Sequence, residues 1–389
     1  MPQKLIVRTE NVGVIGNANL SDVIGLTFST NENGYQTAGV QLSRPFGLAW
    51  NDVALNTHLA VLSGRGDKAW EGRVEGLASA LSEGGAGVLN LSCNGHWSST
   101  YDLTFNGVVS ASATPEAMIA TFINSTYLPQ LTTGSLLVTG LTTEKYQTGN
   151  YGTNDEFIGD IILAICKSGY APGGTADTTR KVVPAVWENR ALSTTAILTT
   201  APTADYILRR KDIVVGGLRR ALTSVKNRVI IRYKDTTGSL ARVTVNDTGS
   251  QSNLAGLLDG TSTNFVRAQV LDYTGLGNLS LASVTDRANI TLSNSKQLKT
   301  DSDNIQVARD YAVYDVAKNQ EIPLWRVRAG KWLQVPDMYP RATNSGSTTQ
   351  AGNEGLATFY YITQTTYDAL SGLLTLIPEQ SARLGDLVS

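Results

Sequence analysis

The sequence is short of the residues on which most catalytic and metal chemistry depends. It has two cysteines, Cys93 and Cys166, and two histidines, His58 and His96, in 389 residues. Two cysteines cannot build the disulfide framework of a small secreted domain, and both read as free buried thiols. Charge is scarce too, at 17% of residues, with 32 Lys and Arg against 33 Asp and Glu. That balance excludes a strongly basic nucleic-acid binder and an acidic tail. No run of about 18 apolar residues occurs, so no membrane-spanning helix is expected. The start, Met1-Pro2-Gln3-Lys4-Leu5-Ile6-Val7-Arg8, lacks a long apolar core and a small-residue cleavage site. No secretory signal is therefore expected, and the chain reads as one made, and soluble, in a cytoplasm.

What is present points to β-structure built for packing. The length suits two to four domains, and a hydrophobic share of 41% is ample for ordinary cores. With so few charges, the surface must be built largely from Ser, Thr, Asn and Gly, which can pack closely without desolvating ions. Three strands read in tandem as a meander: His58 to Ser63, Lys68 to Leu77 after the Gly64-Arg65-Gly66-Asp67 turn, and Val88 to Cys93 after a glycine-rich turn. In the third, Leu89, Leu91 and Cys93 alternate with Val88, Asn90 and Ser92, the pattern of a half-buried sheet.

Two helices follow. Thr114-Pro115-Glu116 opens one, with Met118, Ile119, Phe122 and Ile123 on one face. Thr153-Asn154-Asp155-Glu156 fits a capping box for a second, striped by Phe157, Ile158, Ile161, Ile162 and Ile165, with Cys166 beside the stripe and Lys167 and Gly169 at its close. Residues 171–178 read as a linker. The β pattern returns from about 206: Arg228 to Lys234 turns at Asp235-Thr236-Thr237-Gly238 into Ser239 to Val245. Asp301 to Ala312 reads as a helix. Ile322 to Arg328 and Lys331 to Val335 read as a hairpin around Ala329-Gly330, and a last hairpin runs from Leu356 through Ile362, turns at Tyr367 to Gly372 and returns to Ile377. The fold class is α+β, mainly β.

No constellation of chemistry stands out. Cys93-x-x-His96 has the spacing of half a zinc site, but the other half would have to be His58 and Cys166 from different elements. The same pair fails as a catalytic dyad, since residues three apart on a strand face opposite ways. Asp155, Glu156 and Asp160 are candidate glycosidase carboxylates, yet acids at a helix start serve the dipole and solvation equally well. Gly84-Gly85-Ala86-Gly87 and Gly275-Leu276-Gly277 lack the Gly-Lys-Ser/Thr that would make a phosphate loop. Arg65-Gly66-Asp67 matches an adhesion tripeptide and an ordinary turn. The basic clusters Arg209-Arg210-Lys211 and Arg219-Arg220 have Tyr206 as their one aromatic neighbour, too little for a stacking platform. Phe359-Tyr360-Tyr361 is the one dense aromatic run, in an alternating strand that suits core packing. The reading assigns no catalytic, cofactor-binding or metal residues.

Several segments carry a family resemblance. Trp70-Glu71-Gly72-Arg73-Val74-Glu75, followed by a strand ending at Gly95, resembles a recurring element of phage tail hub and related baseplate proteins. Asn227 to Tyr233 with Asp235 to Gly238 and Ser250-Gln251-Ser252, Ile322 to Trp332 closing on Val335-Pro336-Asp337, and Tyr367 to Pro378 are similar to later parts of the same proteins. The resemblance implies two tube-like antiparallel β-barrels, placed at 1–110 and 206–340, with a mixed helix-containing insert at 111–205 and a C-terminal hairpin region at 341–389. It implies a homotrimer whose six barrels adapt a six-fold tail tube to a three-fold central spike. The partners it implies are tube or tube-initiator proteins, the spike, baseplate wedges and the tape measure. The genome DNA would pass through the channel without specific binding. The residence implied is the virion tail baseplate, assembled in the host cytoplasm. The family has no catalytic residue to carry over, and no enzyme activity, cofactor or membrane contact is expected. The competing readings are a six-copy distal-tail or tube-initiator ring, a tail-associated host-binding protein and a tail-associated hydrolase.

Overall fold

A computed structural model of the protein describes residues 5–12, 16–45, 53–81, 86–107, 115–136, 155–167, 180–198, 204–215, 219–220, 225–259, 264–296, 300–301, 304–336 and 358–379. It is mostly β-strand, with four α-helices among the described residues.

Seven strands open the chain: β1 (Leu5–Val12), β2 (Gly16–Leu20), β3 (Val23–Asn31), β4 (Gly34–Pro45), β5 (His58–Ser63), β6 (Lys68–Leu81) and β7 (Ala86–Gly95). They pair antiparallel in the order β2-β1-β5-β6-β7-β4-β3. The meander read from alternation is present, with β6 and β7 longer than expected. Leu89, Leu91 and Cys93 are buried and Val88, Asn90 and Ser92 are not. The turn at Ser82 to Gly85 lies outside the described residues.

The C-terminal hairpin joins this sheet to the second β region. Strand Thr358–Asp368 pairs through Gln364–Asp368 with β3 and through Thr358–Ile362 with Lys331–Val335. Pairings then form a series: Ile213–Val215 with Ile305–Val307, that strand with Leu373–Pro378, that with Thr358–Asp368, and onward through Lys331–Val335 to Tyr206–Leu208. A short 3-10 turn at Arg210–Asp212 links Tyr206–Leu208 to Ile213–Val215 along the chain, with no pairing between these two strands among the described residues. One hydrophobic core runs through both regions, from Val7, Val40 and Trp70 to Val313, Trp325 and Leu376.

Two smaller units branch off. Helices α1 (Pro115–Phe122) and α2 (Ile158–Lys167) share a core with strand Arg180–Val186, which pairs with Ala191–Leu198. Met118, Ile119, Phe122, Ile158, Ile161, Ile162, Ile165 and Cys166 are buried there, as the stripes predict. Of the expected capping box, Thr153 and Asn154 lie outside the described residues, and Glu156 does not enter the first turn of the helix. Glu156–Phe157 is extended and pairs with Thr104–Phe105, Asp155 has φ 54°, and the Ile158 N–H donates to the Leu103 carbonyl at 3.3 Å. A neighbouring backbone thus satisfies the donor a cap would have served, and Phe157 is exposed rather than part of the stripe.

The other unit spans 225–296. Strand Arg228–Lys234 pairs antiparallel with Leu240–Asn246 and parallel with Ala268–Asp272, and helices α3 (Thr248–Asp259) and α4 (Leu281–Ser295) complete it. Its core is its own: Val229, Ile231, Tyr233 and Val243 against Val284, Ala288 and Leu292 of α4.

Two further expectations are corrected. The described residues of 301–312 form no helix, 302 and 303 lying outside them: Ile305–Val307 is a strand with Ile305 and Val307 buried on one face, so period-two burial overrides the helix-like start. Ile322 to Val335 is not a hairpin. Pro323 has no N–H to give a ladder, a 3-10 turn forms at Leu324–Arg326, and Lys331–Val335 pairs with Thr358–Ile362 instead.

Candidate functional site

The histidines do meet, but not as metal ligands with the cysteines. His58, at the start of β5, and His96, just past β7, stack edge to face with ring centroids 5.0 Å apart. His58 Nδ1 lies 3.1 Å from Glu10, and its Nε2 lies 3.9 Å from the fully buried Glu71. Glu71 also bonds Lys68 and accepts from the Arg190 N–H at 2.9 Å. Burial lowers the His96 pKa to about 3, with His58 and nearby cations adding to the effect. Burial also lowers that of His58, against the pull of Glu10 and Glu71. Both rings are therefore neutral near pH 7. Cys93 and Cys166 lie in separate cores, free and buried, each thiol pushed up to about 12 by burial. No group of three His, Cys, Asp or Glu side chains suited to a metal ion occurs among the described residues.

The other candidates also find structural places. Asp155 and Asp160 are exposed and Glu156 half-buried, on the flank of α2. The Arg65-Gly66-Asp67 tripeptide is the β5–β6 turn, with Gly66 at φ 85° and Asp67 ion-paired to Arg326. Gly275 to Gly277 follows strand Ala268–Asp272 as a turn, with Gly277 at φ 84°. Of Gly84 to Gly87, the first two lie outside the described residues. Arg209, Arg210 and Lys211 are exposed around the 3-10 turn, whereas Tyr206 is buried beneath and offers no stacking face. Arg219 and Arg220 form a two-residue strand against Thr300–Asp301. Tyr360 and Tyr361 are buried.

The most elaborate cluster was not legible from sequence: the junction where the first sheet, the middle unit and the second β region converge. Arg328 donates to Tyr35 Oη of β4 at 3.0 Å and to Glu188. Its guanidinium sits 4.9 Å from the Trp187 ring centroid and 5.5 Å from that of Tyr35. The Arg328 N–H donates to Tyr206 Oη at 3.4 Å. Burial pushes the Tyr206 phenol up to about 12 and Tyr35 further still, so both stay protonated.

Beside it, Glu32 accepts from Lys181 at 3.1 Å and from Tyr361 Oη at 3.0 Å, and Trp332 Nε1 donates to the Leu198 carbonyl at 3.0 Å. Glu32 and Trp332 line an open cleft of about 530 Å³ together with Trp187 and Arg328. Backbone closes the same seam. Asn33 Nδ2 donates to the Pro184 carbonyl at 2.8 Å, and the Val186 N–H to the Asn33 carbonyl at 2.9 Å. Deeper in, the Thr30 hydroxyl meets Thr365 at 2.7 Å and accepts from the Ala329 N–H at 3.0 Å. The polar groups of this junction are spent on one another, which suits it to holding three units in fixed orientation.

No family profile matches the sequence, and no curated protein matches it. Solved structures do match. A tail protein from Neisseria meningitidis MC58 superposes with a TM-score of 0.61 at 11% identity, covering 97% of each chain. A 43 kDa tail protein of prophage MuSo2 from Shewanella oneidensis gives 0.58 at 10% identity, covering 97% of this chain and 98% of that one. A prophage tail protein from Listeria monocytogenes EGD-e gives 0.57 at 12% identity, covering 99% and 97%. The fold is that of these tail proteins. At such identities the likeness lies in the fold alone, and it extends over the whole tail-protein chain, helical units included. In this tail-protein fold, the Arg328 junction is where the β regions and the first helical unit are locked together.

Proposed function

We propose that the chain is a structural subunit of a phage-type tail, and within it the baseplate hub that adapts a six-fold tube to a three-fold spike. The observation that carries the reading is the end-to-end fold likeness to three tail proteins, each covered at 97% or more. In this reading strands β1 to β7, within residues 1–110, form the first tube-like barrel. The strand series within 206–340, completed by the hairpin of the 341–389 region, forms the second, and 111–205 is the insert between them. Three copies then present six barrels around an open channel. Neighbours would be the tail tube or its initiator, the central spike, the wedges and the tape measure, and DNA would pass without base readout.

The chain carries no enzyme activity in this proposal, and its location is the virion tail baseplate. Cryo-electron microscopy of the intact tail tests it: three copies with two barrels each are expected. Six copies with one tube-like barrel each would replace the hub by a distal-tail or tube-initiator ring.

A further inference from the structure

Two surface patches on opposite halves of the chain are complementary in both charge and hydrophobicity. The first is the open face of the three-stranded sheet in the 225–296 unit. One face packs on α4 through Val229, Ile231 and Tyr233. The alternate residues of the same strand, Arg228, Ile230, Arg232 and Lys234, point the other way. Register places Arg242 directly opposite Arg232, and Leu240 opposite Lys234. Val270 lies beside Ile230 on the third strand. Leu240 is 77% exposed and Val270 53%. None of these four cations lies in an ion pair among the described residues. Asp272, beside Arg232 on the third strand, accepts from the Thr274 N–H at 2.9 Å and hydroxyl at 2.7 Å and is drawn electrostatically to Arg232 without forming an ion pair with it. Like charges opposite each other on a strand pair are unfavourable in an isolated fold, and an anionic partner would relieve the repulsion. The 225–296 unit carries eight Lys and Arg against five Asp, so a chain of net charge −1 leaves its remainder negative by four.

The second patch lies where Glu156–Phe157 pairs with Thr104–Phe105 at the start of α2. Tyr101 and Phe157 pack ring to ring at 5.9 Å, and with Leu103 they stand 37%, 44% and 43% exposed. Asp155 and Asp160 are exposed beside them, with no ion pair among the described residues, whereas Glu156, opposite the buried Phe105, points to the other face of the ladder. Asp160 accepts from the Tyr101 hydroxyl at 3.3 Å. An apolar centre rimmed by carboxylates is the counterpart of an apolar-centred sheet rimmed by guanidinium groups.

We infer that these patches bind each other between neighbouring copies, the basic sheet face of one chain seating on the acidic aromatic patch of the next. Two different patches on one chain make a head-to-tail contact, and such contacts close into rings when the rotation permits. The occupant is a second copy because both halves of the complementarity are present in this sequence. A nucleic-acid occupant fits the sheet less well: the face carries exposed Leu240 and Val270 and no aromatic on which bases could stack. This rests on the proposed reading of the chain as a ring subunit.

Sedimentation of the full-length protein over a concentration series tests it. The double reversal R232E/R242E should weaken self-association at least about tenfold, D155K/D160K likewise, and all four substitutions on one chain should restore it to within about threefold. The restoration separates lost contact from lost folding. A wild-type trimer indifferent to either reversal would overturn the inference and leave the hub reading standing. A wild-type hexamer dissociated by either reversal would support the inference and sink the trimer. A wild-type monomer at all concentrations overturns the inference. Duplex DNA binding abolished by R232E/R242E, with sedimentation unchanged, would assign the sheet face to nucleic acid and likewise overturn it.

Discussion

His96 shows how a scarce titratable residue can be structural. Its ring is 4% exposed, neither nitrogen has a hydrogen-bond partner among the described residues, and its pKa falls from 6.5 to about 3. The linkage has a definite sign. Below pH 6.5 the unfolded chain takes up a proton that the folded His96 refuses, so stability falls as pH drops from about 6.5 toward 3 and is flat above. One such group contributes a slope of about 1.4 kcal/mol per pH unit. Urea denaturation between pH 7.5 and pH 5 should show this loss, and H96Q should have a shallower slope by about one proton. Equal slopes would mean that His96 is protonated in the fold. Burial also sorts the residues of α2. Ile161→Ala should cost about 2–5 kcal/mol, since Ile161 is fully buried among Ile158, Ile162 and Ile165. Asp160→Ala should cost within about 0.5 kcal/mol, because Asp160 is exposed. Comparable losses would put the helix the other way round.

The β3–β4 hairpin carries the seam between the first sheet and the middle unit, and one glycine makes it possible. Gly34 has φ +123°, and a Cβ there would stand 2.0 Å from the Val186 carbonyl oxygen, on the strand it meets. Gly64, in the β5–β6 turn, would place a Cβ in open space. Thermal melts should therefore show Gly34→Ala destabilised by about 2 kcal/mol or more, with Gly64→Ala near wild type. A tolerant Gly34→Ala would mean that the seam is loose. Elements built on local periodicity were readable in the sequence: β5, the strand Arg228–Lys234, the buried stripe of α2 and the C-terminal hairpin. Those decided by distant partners were not. Lys331–Val335 takes its partner from Thr358–Ile362 across an intervening stretch, so adjacency to Ile322 misled. Helix α4 buries Val284, Ala288 and Leu292 but is otherwise rich in Ser, Thr and Asn, whose weak helix propensity hides it. The junction could not be foreseen, because Arg328 and Tyr35 are 293 positions apart. The approach of His58 to His96 likewise depends on the placement of β5 beside β6 and β7.

Assembly follows from what the chain leaves exposed. The first sheet ends at β2, which pairs with β1 on one side only among the described residues, and an edge strand with free N–H and C=O groups invites pairing with another chain. A ring answers that liability by burying each edge against a neighbour. The internal joint is rigid: Arg328, Tyr35, Trp187 and Tyr206 interlock, Thr30 meets Thr365, and one core runs through both β regions. Two β regions held at a fixed angle can repeat around an axis only if every copy presents the same angle, and a flexible joint would scatter them. Loosening the joint should therefore harm assembly before it harms folding. In Arg328→Ala the guanidinium contacts to Tyr35, Glu188 and Trp187 are lost at a partly exposed site, at a cost of about 1–3 kcal/mol. That leaves a chain of this size folded. The expected result is a soluble, folded Arg328→Ala monomer by circular dichroism that fails to enter the ring by sedimentation and is absent from purified tails. An Arg328→Ala chain that assembles at wild-type concentration would show that the joint does not set the geometry of the proposed ring, and the proposed hub would then have to owe its symmetry to contacts between copies alone.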